Sequence, residues 1–127
     1  MILTRMALIL VADDTVEILQ MVKDILESRG HQVATAADGV QMVERAKSLR
    51  PKLIISDIMM PGAYGSSAYK ALQEDPFTKD IPVIFLTAVT PDQAQKVVQE
   101  TEKVRIMHKP LDIMGLLQTV AELLPSA

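Results

Sequence analysis

Residues 53–57 read LIISD, and this short stretch decides the fold. Its continuous apolar character predicts a strand covered on both faces, as in a parallel sheet, and Asp57 lies at the carboxyl end of that strand. Residues 7–12 read ALILVA and have the same character, and they end at Asp13 and Asp14. Two buried strands are therefore each predicted to deliver carboxylates at their carboxyl ends.

Amphipathic segments separate these runs from three further short strands, predicted at residues 32–36, 82–87 and 104–108. Apolar residues from Val16 to Leu26 recur at helical spacing, and Gly30 supplies a stop. Further helices are predicted at about 66–74, from 91 to about 102, and from 113 onward. The helix before Pro51 is predicted to turn one set of side chains inward: Val40, Val43, Ala46 and Leu49.

Three helix starts carry capping signals. Asp38 precedes Gln41 at the spacing of a capping box, and Thr90 precedes Pro91 and Gln93 in the same way. Asp112 is expected to cap the last helix. Five βα units in a row then predict a parallel sheet with helices on both faces.

In such a sheet, ligands bind outside the carboxyl ends of the strands, near the point where strand order reverses. The residues at those ends are polar and lie far apart in the sequence: Asp13, Asp14, Asp57, Thr87 and Lys109. Because parallel strands end at one edge of the sheet, we expect these side chains to form a single site.

The predicted chemistry of this edge is phosphoryl transfer. Three neighbouring carboxylates repel one another, and a hard dication such as Mg²⁺ relieves that repulsion. Asp57 can then act as a carboxylate nucleophile and form an aspartyl phosphate. Lys109 can supply a positive charge and Thr87 a hydroxyl donor to the phosphoryl oxygens.

Composition bounds the class of protein. The chain has 127 residues, a net charge of −3 and no cysteine, so disulfides and thiolate metal sites are excluded. We expect one domain over residues 1–127, with its core at about 7–124. An acidic balance disfavours nucleic acid as a direct partner, and no apolar run approaches the roughly 20 residues of a membrane span. A cytoplasmic protein is predicted.

At these positions the sequence resembles the receiver domain of bacterial two-component response regulators. The resemblance covers about residues 7–124 and implies a flavodoxin-like, doubly wound α/β fold with five strands in the order 2-1-3-4-5 and five helices. It is carried by these segments: Asp13-Asp14, Asp57-Ile58-Met59-Met60-Pro61, Gly65, Thr87-Ala88 and Lys109-Pro110.

The resemblance also implies roles for individual residues. Asp57 would be the phosphoacceptor, Asp14 would bind Mg²⁺ directly and Asp13 mainly through water, and the backbone carbonyl of Met59 would complete the protein ligands. The peptide bond between Lys109 and Pro110 would be cis. The implied partners are a sensor histidine kinase or phosphotransfer protein and a downstream protein target, and homodimer formation stays open.

The sequence departs from the family pattern at Ile106, and residues 102–105 replace the family's usual Gly-Ala turn before it. Ile106 stands where receivers commonly carry an aromatic switch residue, so we expect movement of Thr87 to be read by residues 88–90 instead. Met59 and Val89, two positions after Asp57 and Thr87, cannot hydrogen-bond an attacking water. Slow self-dephosphorylation is therefore expected.

Other interpretations remain for the same residues. Asp14 precedes Glu17 at capping-box spacing, so it also fits a helix cap. A small aspartyl-phosphate phosphatase would need a second acid near the nucleophile, where Met59 stands. A pseudo-receiver interaction module would typically lack one of the five site residues, and a flavin binder would need a phosphate loop where Asp13 and Asp14 lie.

Overall fold

The computed structural model describes residues 7–58, 65–88 and 90–124, in which five strands alternate with five helices. The elements are β1 (Leu8–Ala12), α1 (Val16–Ser28), β2 (Gln32–Ala36), α2 (Gly39–Leu49), β3 (Leu53–Ser56), α3 (Gly65–Glu74), β4 (Val83–Thr87), α4 (Pro91–Val97), β5 (Val104–His108) and α5 (Ile113–Leu123). Among these helices, none has the length and apolar character needed to cross a bilayer.

All strand pairs are parallel, and the strand order is β2-β1-β3-β4-β5. The chain goes from β1 outward to β2 and then returns to the other side of β1, so strand order reverses between β1 and β3. Ala12 and Ser56, the last residues of these two strands, are register partners. The predicted fold class and strand order are therefore confirmed, and the switch point lies where Asp13 and Asp57 follow the strands.

Apolar side chains pack on both faces of the sheet. Along β1, Leu10 contributes to the cluster under α2, α3 and α4, whereas Ile9 and Val11 contribute to the cluster under α1 and α5. This alternation follows from the two-residue repeat of a strand, and burial on both sides explains why β1, β3 and β4 are apolar up to the last residues of β3 and β4, Ser56 and Thr87. The sheet is thus a rigid platform whose carboxyl edge carries the polar residues.

The inward face of α2 differs from the prediction. Val40 and Leu49 are 55% and 45% exposed, while Met42 and Ala46 are buried. Gly39 is also buried at the start of the helix. Of the four predicted residues, Ala46 is buried and Val43 is partly buried against the core, so the prediction is confirmed for these two and wrong for Val40 and Leu49. The buried stripe of α2 is centred on Met42.

Helix α4 ends at Val97, about five residues earlier than predicted. Val98 has φ −136° and ψ 131°, and its side chain is buried in the core. Two consecutive valines favour an extended backbone over a helix. The next residues make other contacts, since Thr101 forms an isolated bridge with Val104 and the Glu100 carboxylate accepts a hydrogen bond from the Ile106 N–H (3.1 Å).

Two of the predicted caps form and two do not. Asp38 accepts a hydrogen bond from the Gln41 N–H, and Thr90 forms a full capping box with Gln93. At α1 the N-cap residue is Thr15, so the capping alternative for Asp14 is wrong. Asp112 occupies the N-cap position of α5 without a side-chain cap hydrogen bond.

Candidate functional site

Backbone hydrogen bonds anchor the polar residues at the carboxyl edge of the sheet. The Asp57 N–H donates to the carbonyl of Ala12 (3.0 Å), and the Lys109 N–H donates to the carbonyl of Thr87 (2.8 Å). The Asp13 N–H donates to the last carbonyl of β2 at 3.1 Å. The hydrogen-bond ladder therefore continues one residue beyond β1, β3 and β5, and the sheet itself sets the backbone positions of Asp13, Asp57 and Lys109.

Three carboxylates meet at this edge. Asp13, Asp14 and Asp57 each offer one oxygen, and these oxygens lie within 4.8 Å of one another. Asp13 and Asp57 are buried, and Asp14 is exposed. Mg²⁺ holds oxygen ligands at about 2.1 Å, so opposite ligands lie about 4.2 Å apart. The cluster therefore fits such an ion after small side-chain adjustments, with an open side for water at Asp14.

Lys109 bridges two of the carboxylates. Its Nζ lies 3.0 Å from Asp57 Oδ2 and 3.2 Å from Asp13 Oδ2. The lysine side chain is 18% exposed, and the two carboxylates are less exposed than that. Charge-assisted hydrogen bonds of this kind strengthen where water is largely excluded. One cation thus compensates two buried negative charges.

Asp13 is held at both oxygens. Oδ1 accepts the Thr15 N–H at 2.8 Å, and Oδ2 accepts from Lys109. Burial raises the pKa of Asp13, and the Asp57 carboxylate adds to this, while the Thr15 and Lys109 contacts oppose it. The carboxylate is therefore fixed in orientation, but its charged form remains unfavourable even with Lys109 beside it.

The pKa of Lys109 shifts upward. Burial alone would lower it, but the hydrogen bond to Asp57 and the negative charges of Asp57 and Asp13 together outweigh burial. Lys109 is therefore a firmly protonated donor that faces Asp57.

Of the remaining predicted site residues, the structure describes Thr87 and Pro110 but not Met59. Thr87 is fully buried as the last residue of β4 and is paired in register with His108. The Lys109–Pro110 peptide bond is cis, as the resemblance implies. Met59 lies outside the described residues, and so does Val89.

Two supporting residues were missed by the sequence reasoning. The Thr15 N–H orients Asp13, and the Ser56 hydroxyl donates to the Asp57 carbonyl at 2.8 Å from a buried position. An aspartate is a known turn signal, since its carboxylate can accept a hydrogen bond from the backbone N–H two residues later. The role of Ser56 had no comparable sequence signal.

Comparison with known proteins identifies the family. The sequence model of the response regulator receiver domain matches residues 9–121. This chain belongs to the receiver domain family. The receiver is 38% identical to protein PilH of Pseudomonas aeruginosa over 117 residues, which cover 91% of this chain and 95% of PilH.

Two further relatives differ in length: one is about twice as long as the matched region, and the other is matched over its whole length. It is 36% identical to the DNA-binding dual master transcriptional regulator RpaA of Synechocystis over 118 residues, which cover 91% of this chain but only 48% of RpaA. The solved structure of chemotaxis response regulator CheY4 of Vibrio cholerae matches with a TM-score of 0.85 at 32% identity, over 94% of this chain and all of that one.

The family sets the general role. Receiver domains act as switches in two-component signalling, and they interact with histidine kinases or phosphotransfer proteins and with downstream targets. They bind Mg²⁺ at an acidic cluster of the kind formed here by Asp13, Asp14 and Asp57.

Proposed function

We propose that this receiver accepts a phosphoryl group onto Asp57 in the presence of Mg²⁺ and thereby changes a surface that a downstream protein recognises. The observation that carries the proposal is the position of Lys109, which lies between Asp57 and Asp13 beside an acidic cluster. A buried carboxylate with a fixed cation on one side and further carboxylates on the other suits phosphoryl transfer, which depends mainly on positioning and charge neutralisation.

In the proposed step, a carboxylate oxygen of Asp57 attacks the phosphorus of a phosphohistidine. The new P–O bond forms as the P–N bond breaks, and the electron pair returns to the imidazole nitrogen of the donor. The product is an aspartyl phosphate at the carboxyl end of β3. The donor is a sensor histidine kinase or a phosphotransfer protein.

Lys109 and Thr87 stabilise the transferred group in this proposal. Lys109 already donates to Asp57 at 3.0 Å, so its ammonium can move onto a phosphoryl oxygen without a change of backbone. Thr87 ends the neighbouring strand β4, and its hydroxyl is assigned to a second phosphoryl oxygen. Preorganised donors of this kind lower the barrier because they need no reorganisation during reaction.

The metal is assigned to Asp13, Asp14 and Asp57, with the backbone carbonyl of Met59 as a further ligand. Mg²⁺ supplies neutralisation of charge on the phosphoryl oxygens. Asp13 already accepts hydrogen bonds at both oxygens, whereas Asp14 is exposed. This difference supports direct binding by Asp14 and mainly water-mediated binding by Asp13.

We also propose that residues 1–127 act as one receiver domain in the cytoplasm, with its core at about 7–124. The two core clusters support these limits, since partly buried Ala7 and buried Leu124 both pack in the cluster under α1 and α5. The RpaA match covers about half of that protein, so DNA binding by RpaA is not carried over to this chain.

A phosphatase is the second candidate, and Met59 in place of an acid disfavours it. Turnover of p-nitrophenyl phosphate separates a phosphatase from a receiver. A phosphatase releases more nitrophenol than there is protein, and a receiver does not. A pseudo-receiver is disfavoured because all five predicted site residues are present in the sequence.

The test is incubation with acetyl phosphate and Mg²⁺, followed by intact-mass measurement. We expect the parent protein to gain the mass of one phosphoryl group, and EDTA to abolish the gain. Asp57→Asn should gain nothing, whereas Asp92→Asn on α4 should behave as the parent. An unchanged parent mass in the presence of Mg²⁺ would refute the proposal.

A further inference from the structure

Polar side chains are rare in the interior of this receiver. Among the residues that the structure describes, five buried side chains are polar or charged: Asp13, Ser56, Asp57, Thr78 and Thr87. Asp13, Asp57 and Thr87 belong to the proposed phosphorylation site. The proposed chemistry gives no role to Ser56, although Ser56 directly precedes Asp57 in the chain.

The hydroxyl of Ser56 lies in apolar surroundings. Ser56 is the last residue of β3, and its register partners Ala12 and Phe85 both belong to the cluster under α2, α3 and α4. The two-residue repeat of a strand places its side chain on the same face as Ile54, which is in that cluster as well. Burying a hydroxyl among apolar side chains is unfavourable unless it forms a hydrogen bond. On burial alone, an apolar residue would suit this position, as it does at the other three positions of β3.

Ser56 uses its hydroxyl to hold the backbone of Asp57. Its Oγ donates to the Asp57 carbonyl at 2.8 Å, while the Asp57 N–H donates to the carbonyl of Ala12 at 3.0 Å. Strand β3 ends at Ser56, and the chain bends at Ile58. The N–H of Asp57 is therefore tied to β1 and its carbonyl to Ser56 where the chain leaves the sheet. Together these two contacts restrict the direction in which the Asp57 side chain leaves the backbone.

The direction of the Asp57 side chain matters for the site. Asp57 Oδ2 lies 3.0 Å from Lys109 Nζ, and one Asp57 oxygen lies within 4.8 Å of oxygens of Asp13 and Asp14. Freedom at the Asp57 backbone would let the carboxylate turn relative to the ammonium and to the other carboxylates. Removing a hydrogen bond that orients a metal ligand typically weakens metal affinity or activity by about 10–100-fold.

A hydrogen bond of the same kind elsewhere in the chain separates orientation from burial. Thr78 is as buried as Ser56, and its Oγ1 donates to the carbonyl of Leu72 at 2.7 Å. Thr78 lies in the connection from α3 to the start of β4, at the edge of the sheet opposite the carboxylates. If the Ser56 bond only compensated a buried hydroxyl, loss of either bond would have the same consequences for the site.

We propose that Ser56 is a positioning residue. Its hydroxyl holds the Asp57 carbonyl and thereby orients the Asp57 carboxylate for Mg²⁺ and for the incoming phosphoryl group. The inference rests on the function proposed above for Asp57, and Ser56 itself takes part in no bond-making step.

The test compares the parent with Ser56→Ala, which removes the hydroxyl and little else. In EDTA, the carbonyl ¹³C signal of Asp57 should move upfield in the variant, because the carbonyl has lost its donor. In Mg²⁺ titrations followed by amide shifts of the ¹⁵N-labelled full chain, we expect the dissociation constant to rise about tenfold. At saturating Mg²⁺, the initial rate of phosphorylation by acetyl phosphate, followed by intact mass, should also fall about tenfold.

Thr78→Val is the matched control, because it also removes a buried hydroxyl that donates to a backbone carbonyl. We expect it to lower the urea midpoint at least as much as Ser56→Ala does. Its Mg²⁺ affinity and its phosphorylation rate should stay those of the parent.

Parent-like Mg²⁺ affinity in Ser56→Ala would overturn the proposal. An equal loss of affinity in Thr78→Val would also overturn it, because general destabilisation would then explain both variants. A parent chain that binds Mg²⁺ but gains no phosphoryl group would refute the proposed function alone, and the Mg²⁺ titrations would still decide the role of Ser56.

Discussion

Lys109 Nζ lies 3.0 Å from Asp57 Oδ2, although the two residues are 52 positions apart in the sequence. The contact joins the ends of β5 and β3 across the end of β4, where Thr87 is buried. Lys109 Nζ also contacts Asp13, which follows β1, so one ammonium group links the ends of β1, β3 and β5. Asp57 is therefore in direct contact with the residue that follows β5.

Removing the ammonium should destabilise the fold when no metal is present. Lys109→Met leaves Asp13 and Asp57 buried without their shared cation. We expect the free energy of unfolding at pH 7 in EDTA to fall by roughly 1–3 kcal/mol. Mg²⁺ should then stabilise the variant more than the parent, because the ion relieves a larger repulsion. Urea denaturation with and without Mg²⁺ measures both effects, and Lys70→Gln should change neither.

Asp13→Asn should have opposite effects on stability and on metal affinity. Burial raises the pKa of Asp13, so the charged form disfavours folding at neutral pH. Asparagine keeps an acceptor for the Thr15 N–H without the charge. We expect the variant to be more stable than the parent by about 1 kcal/mol in EDTA and to bind Mg²⁺ more weakly. A variant less stable than the parent in EDTA would contradict this electrostatic account.

The pH dependence of stability should differ at the two ends of the scale. The pKa of Asp13 is raised in the folded state, so the charged carboxylate lowers the free energy of unfolding of the parent relative to Asp13→Asn at neutral pH. This difference should vanish as pH falls below the ordinary pKa of 3.8. The pKa of Lys109 is also raised, so its stabilisation is complete below 10.5 and is lost as pH rises through the folded value. Urea midpoints of the parent, Asp13→Asn and Lys109→Met across the pH range test both directions.

Ile106 should move little on phosphorylation. Its side chain packs against the core cluster under α2, α3 and α4, and its N–H donates to Glu100. We expect beryllofluoride with Mg²⁺ to shift the methyl signals of Ile106 less than the amide signals of residues 88 and 90. A large Ile106 rearrangement with unchanged signals at 88 and 90 would contradict this.

The Glu100 contact has its own test. Glu100→Ala removes the acceptor of the Ile106 N–H at the outer edge of β5. We expect hydrogen exchange at the Ile106 amide to accelerate at least several-fold, while exchange in β3 stays unchanged. Equal exchange at Ile106 would show that the contact does not protect the strand edge.

Most of the fold follows from apolar runs in the sequence. The strands Leu8–Ala12 and Leu53–Ser56 form within the predicted limits, because a strand buried on both faces leaves a nearly continuous apolar pattern. The errors arise where tertiary contacts decide. Met42 rather than Val40 faces the sheet, and Val98 leaves the helix because its side chain is buried in the core.

The site was predictable for a different reason. Parallel strands bring their carboxyl ends to one edge, so Asp13, Asp14 and Asp57 had to lie close together once the strand order was set. The double contact of Lys109 was not predictable, since it depends on side-chain reach across β4. The left-handed backbone of Arg50 at the end of α2 also had no sequence signal, because only its φ of 48° reveals it.

Chemical identification of the phosphorylated side chain tests the central claim most directly. Borohydride reduces an acyl phosphate to the alcohol, so an aspartyl phosphate is converted to homoserine at the position that carried it. After treatment with acetyl phosphate and Mg²⁺, peptide mass spectrometry should find homoserine at position 57 and at no other aspartate. Conversion of Asp13 or Asp14 instead, or of no aspartate at all, would contradict the assignment of Asp57 as the phosphoacceptor.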